Sequence, residues 1–157
     1  MKKFSVLLVA ILALMMLFVS CENEPEKRAA TKEDVEIVSG LFGEAGYFYG
    51  QVAFKGEKYL NVEYDSKTKI ATFKGFEVEQ PKDTHLVTLN GTVSMKQDDK
   101  AKTVTYSLNL VDGTKYKSKD HTLLLNLVMN TENFDVDSYK IILDGVILTD
   151  FDFDSLS

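Results

Sequence analysis

From Thr103 to Leu110 the chain reads Thr-Val-Thr-Tyr-Ser-Leu-Asn-Leu, which puts Val104, Tyr106, Leu108 and Leu110 on one side and polar residues on the other. Only an extended strand with one wet and one dry face separates residues at a period of two in this way. The same alternation returns at Tyr47–Lys55, Tyr59–Tyr64, Lys69–Glu79, His85–Lys96, His121–Met129 and Tyr139–Thr149. Turn-forming clusters separate these stretches at Lys55–Lys58, Asp65–Thr68, Gln80–Asp83 around Pro81, Gln97–Lys100, Asp112–Thr114 and Asn130–Asp137. Connections this short favour antiparallel neighbours over crossover units. The pattern predicts an all-β fold, an antiparallel meander forming a sandwich or barrel, preceded by a short N-terminal helix. With 157 residues, 45% of them apolar, the chain supports one domain with a sizeable core.

Two Asx-Gly pairs test the register. A hairpin at Asn90-Gly91 would mix apolar and polar residues on each face, whereas a continuous strand aligns Val87, Leu89, Gly91, Val93 and Met95, so continuity is expected there. At Asp144-Gly145 a hairpin would pair Leu143 with Val146 and Ile142 with Ile147, and the pattern allows either outcome. Gly50, Gly75, Gly91 and Gly145 each stand among apolar residues, and interior strand glycines of this kind are expected to kink and coil the sheet. The helix is expected from an N-cap at Thr31, acids at Glu33 and Asp34, and Val35, Val38, Leu41 and Phe42 at helical spacing, ending at Gly43.

The N-terminus follows a different logic. Lys2 and Lys3 precede an uncharged run from Phe4 to Ser20, which as a helix reaches about 25 Å, short of the roughly 30 Å hydrocarbon core of a bilayer. The run closes on Leu17-Phe18-Val19-Ser20-Cys21, and a polar string from Glu22 to Arg28 follows. This resembles the lipobox of bacterial lipoprotein precursors, with Phe18 where that family usually carries Leu. The resemblance implies a signal peptide over residues 1–20, cleavage before Cys21, and acyl chains, palmitate among them, on that cysteine. It implies a membrane-anchored lipoprotein of the bacterial cell envelope facing the periplasm or the cell surface, partnered with the bilayer through those chains. It also accounts for the lone cysteine, which as a thioether is inert to thiol exchange. Residues 21–30 are expected to form a lipid-anchored flexible tether and 31–157 a single β domain. The β domain resembles generic small secreted bacterial lipoprotein domains.

Charge narrows the partners. Loss of residues 1–20 removes two lysines and no acid, leaving the mature chain at −8, so nucleic acid and anionic headgroups are repelled rather than attracted. His85 and His121 are the only histidines, and they stand in none of the spacings that hold a metal or build a catalytic triad. No catalytic residue and no cofactor are expected, and the chain is read as a non-enzyme. From Asn130 onward there are seven acids against one base. Asn130, Glu132, Asp135 and Asp137 could offer oxygens to Ca²⁺, although the glycine and closing Glu of an EF-hand loop are missing. Asp150, Asp152 and Asp154 alternate with Phe151 and Phe153, as on an edge strand whose charges block further pairing. Tyr47, Tyr49, Tyr59 and also Tyr116 are candidate ligand-binding aromatics on a face opposite the core.

The expected function is therefore a non-catalytic binding or structural module, with an envelope protein, a glycan or an apolar ligand as partner. The alternatives are a carrier of lipid or another apolar ligand in a curved sheet, and a calcium-dependent surface adhesion module. A large apolar cavity rather than a filled core would distinguish the carrier.

Overall fold

The computed structural model describes residues 24–78 and 87–156. The segment expected to be a signal peptide, Cys21, the turn expected around Pro81 and His85 lie outside the described residues. The elements in chain order are β1 (Lys27–Ala29), α1 (Lys32–Phe54), β2 (Val62–Asp65), β3 (Ile70–Val78), β4 (Val87–Asp98), β5 (Thr103–Tyr116), β6 (Lys119–Asn130), β7 (Val136–Leu143), β8 (Val146–Thr149) and a 3₁₀ turn at Phe153–Leu156. Strands β2 to β8 form an antiparallel meander, and β1 adds to the far edge parallel to β8, giving the order β1-β8-β7-β6-β5-β4-β3-β2.

The all-β meander is as the sequence predicts, but it does not close. β1 and β2 are the two edges of one open sheet, so the structure is neither barrel nor sandwich of sheets, and α1 supplies the second layer. The reason lies in the two faces. Row by row, one face carries Tyr64, Ala71, Val93, Leu108, Leu125, Ile141 and Leu148 across β2 to β8, most of them buried. The next row, on the other face, is polar across β2 to β5, with Glu63, Thr72, Thr92 and Asn109, and half-exposed apolar across β6 to β8, with Leu124, Ile142 and Ile147. One dry face needs one cover, and the helix provides it over β3, β4 and β5.

The helix is longer than expected. Its start matches the sequence reading: Thr31 is the N-cap and forms a capping box with Asp34. It then runs straight through Gly43 and absorbs Tyr47–Phe54, which the alternation assigned to a strand. Val38, Leu41, Ala45, Tyr49 and Val52 continue one buried stripe at intervals of three and four, and their burial outweighs the roughly 1 kcal/mol that each interior glycine costs.

Three other expectations change. Asp112–Thr114 is not a turn but a two-residue bulge inside β5, where the register slips between Leu110 and Thr114. Asn90 fastens it: its Nδ2 donates to the Asp112 carbonyl at 2.6 Å, and its backbone exchanges hydrogen bonds with the buried Thr114 hydroxyl. The hairpin instead turns at Lys117-Ser118, both at positive φ. The Asp150–Asp154 segment is no edge strand. Phe151 is buried, Phe153 packs on Phe151 and Tyr139, and the chain winds into the 3₁₀ turn that contacts α1. Finally, Lys27–Ala29 are paired in β1 rather than free in a tether.

The glycines divide. Gly75 lies at the β3 bulge with φ +64, and Gly91 stays within a continuous β4, where a Cβ would stand 2.1 Å from the Asn109 carbonyl oxygen. Both deform the sheet as expected. Gly145 instead makes the tight Asp144-Gly145 turn between β7 and β8, and Gly50 is helical.

Candidate functional site

Gly43, Gly46 and Gly50 recur at intervals of three and four, so they line one flank of α1. A Cβ at any of them would meet nothing within 4 Å. Below that flank the sheet presents Val93 and Met95 of β4, Tyr106 and Leu108 of β5, and Met129 of β6. The result is a groove of about 390 Å³ between helix and sheet. Phe42 packs edge-on to Tyr106 with ring centroids 5.8 Å apart, joining the helix to the sheet beside it. Tyr47 and Phe54 stand at the rim, 58% and 67% exposed. Each packs edge-on to a neighbour on the helix, Tyr47 to Phe48 at 5.1 Å between centroids and Phe54 to Tyr49 at 6.1 Å. The walls are mostly apolar, with Ser94 and the tyrosines adding polar atoms, and the two methionines can reshape to fit an occupant.

The three tyrosines singled out in the sequence part company here. Tyr47 and Tyr49 both line the groove, but Tyr49 does so from the core: it is 5% exposed and donates its hydroxyl to the Lys69 carbonyl at 3.2 Å. Its burial raises the phenol pKa. The expectation that it faces away from the core is corrected. Tyr59 lies across the helix, in an edge-to-face cluster with Phe48 and Phe76. That cluster borders a separate surface hollow of about 660 Å³, lined also by Leu60, Asn61, Gly75 and Glu77. It is larger, and it too lies between α1 and the sheet, at β3, but the edge-to-face packing of Phe48 on Phe76 fills the space between the layers there. Tyr116, also singled out, packs its ring over Gly40, where a Cβ would lie 2.2 Å from Cε2.

The acidic residues do not converge. Asn130 accepts from the Glu132 and Asn133 backbone amides and so shapes the β6–β7 turn. Glu132 pairs with Lys102, Asp135 accepts from Asn133, and Asp137 lies further on in β7. Among the described residues no group of three or more His, Cys, Asp or Glu is placed to hold a metal ion.

His121 sits buried at the β5–β6 end, its Nδ1 2.8 Å from Asp144 Oδ2. The other Asp144 oxygen accepts the Thr122 amide at 2.7 Å, and the Asp144 amide returns a bond to the Thr122 carbonyl. The Asp144 carboxylate is thus engaged in tying the β7–β8 turn to β6 beside the bulge. The polar hollow around it, of about 530 Å³, is lined by Asp112, Gly113, Asp120 and Thr122 as well.

At the other end of the groove's roof, α1 is clamped at its start. Arg28 of β1 grips Asp34 bidentately, at 2.5 and 2.9 Å, and Asp34 also accepts from the Thr31 amide and hydroxyl. These bonds, led by Arg28, hold the Asp34 carboxyl well below the usual carboxylate range despite its burial. Among the described residues no helix is long and apolar enough to cross a membrane. No known protein family matches this chain, and no curated protein or solved structure is significantly similar to it.

Proposed function

We propose that this chain is a lipid-anchored, non-catalytic binding module of the bacterial envelope, held by acyl chains on Cys21, whose groove between α1 and the sheet takes a small apolar molecule. The observation that carries the reading is the open glycine flank. A purely structural domain gains by filling such a space, since each buried methylene contributes about 0.8 kcal/mol. Here three consecutive positions on the flank carry no side chain, above a floor of Met95, Tyr106 and Met129. The volume falls within the roughly 300–1,000 Å³ of small-molecule sites. This favours an apolar ligand over the protein, glycan and calcium alternatives.

Titration with the apolar fluorophore N-phenyl-1-naphthylamine tests it. Saturable enhancement is expected with the wild-type chain and its loss with Gly46→Leu, which fills the groove from a position free of contacts. Equal enhancement by both proteins would place the probe elsewhere and sink the assignment. The anchor is tested separately: labelled palmitate is expected on the wild-type chain and absent from Cys21→Ser.

A further inference from the structure

The place where the fold begins limits how an anchored chain can sit. β1 starts at Lys27, level with Ile147, and the Ile147 amide already donates to the Glu26 carbonyl. Five residue steps therefore separate Cys21 from the first fixed backbone group. At most they span about 18 Å, and as a flexible chain they average about 12 Å. The body they hold has a radius of gyration of roughly 14 Å. A leash shorter than its load cannot let the load turn freely.

The pairing also says which end of the sheet is held. Moving back along β1 from Lys27 follows β8 back toward the Asp144-Gly145 turn. The Lys117-Ser118 hairpin lies at this same end, because β6 runs on from Leu123, opposite Leu143, back to Lys119. The groove lies the other way. Met95 and Tyr106 are four residue rows further along the sheet than Glu26, about 13 Å, and Met129 is six rows, about 20 Å. The floor strands β6, β5 and β4 are also three to five strand positions from β1, about 14 to 24 Å across the sheet.

Resting on the lipid-anchor reading proposed above, we infer that the sheet end bearing the Asp144-Gly145 and Lys117-Ser118 turns is the membrane-facing surface of this protein, and that the groove opens away from the bilayer that anchors it. The ligand then enters from the aqueous side and not by lateral movement out of the anchoring leaflet.

The acylated protein, reconstituted in phosphatidylethanolamine–phosphatidylglycerol vesicles, tests this. Its only native cysteine is blocked by acylation, so a single donor dye can be placed at Lys119→Cys near the held end or at Lys100→Cys in the opposite β4–β5 turn. Energy transfer to a headgroup-labelled lipid is expected to be several-fold stronger from position 119. A ten-residue Gly-Ser insertion after Glu24 is expected to bring the two signals together. Equal transfer from both sites without the insertion, stronger transfer from position 100, or no response to the insertion overturns the inference. A chain whose intact mass shows no acyl groups and which does not bind vesicles removes the anchor reading itself, a failure that the mass distinguishes from a wrong orientation.

Discussion

The two halves of α1 use glycine for opposite ends. In the first half, Gly40 is filled from outside: the Tyr116 ring lies where a side chain would be, Lys117 pairs with Glu36, and Arg28 clasps Asp34. In the second half, Gly43, Gly46 and Gly50 are met by nothing. A missing side chain can thus admit a neighbour or preserve a space, and only the partner across the gap tells which. The first half fixes the helix to the sheet. In the second half Ala45, Tyr49 and Val52 hold the helix to the core, so only its glycine flank stays uncovered.

If that division is right, the largest effect belongs to the clamp. Asp34→Ala breaks the capping box and removes the acceptor of four hydrogen bonds, including both from the half-exposed Arg28, and is expected to cost about 2 to 3 kcal/mol in urea unfolding. A loss under 1 kcal/mol would mean that packing alone holds the helix start. Acid should reproduce part of this loss. Because the folded-state pKa of Asp34 is depressed, its contribution is complete above the ordinary value near 3.9 and disappears as pH falls toward the lower folded value. Unfolding measured from pH 6 down to pH 2 should therefore show a stability decline that is shallower in Asp34→Asn.

Next comes Gly40→Ala, expected to destabilise by about 1 to 3 kcal/mol although alanine is the better helix former, because Tyr116 must be displaced. In a Tyr116→Ala background the same change should become stabilising, and a double-mutant cycle measures that reversal. The smallest effect is expected at Gly46→Ala, a gain of about 0.5 to 1 kcal/mol from helix propensity alone. Its apolar-probe affinity should fall, since the new methyl enters the groove. A destabilised Gly46→Ala would show that the glycine flank is packed after all, and the contrast between the halves would vanish.

Much of the sheet was legible because its rows are strongly alternating. β3, β4 and β6 fall within a few residues of where Lys69–Glu79, His85–Lys96 and His121–Met129 placed them. The failures share a cause, which is that turn-forming and helix-breaking residues were doing other work. Asp112-Gly113 has the composition of a turn but serves a bulge that Asn90 fastens from the next strand, a contact no local window contains. Lys117-Ser118 makes the true hairpin without the usual Asn or Gly, at φ +50 and +63. Four glycines in eleven residues hid the second half of α1, although the stripe Val38, Leu41, Ala45, Tyr49, Val52 was present to be read. The groove was invisible for the same reason. Tyr47 and Tyr49 stand out in the sequence as aromatics, but Met95, Tyr106 and Met129 have the pattern of ordinary core positions, and only the bare helix flank above them makes them a floor.

The parallel pairing of β1 with β8 joins Lys27 to Ile147, nearly the whole length of the domain apart. A chain that appears N-terminus first, from a ribosome or through a translocation pore, has to leave its opening strand unpaired until its closing strand arrives. Contacts so distant in sequence form late and slow the approach to the native state. The clasp from Arg28 to Asp34 can assemble early because only six residues separate them. The edge it braces is finished last, so the opening strand of the fold is the final piece of the molecule to find its place.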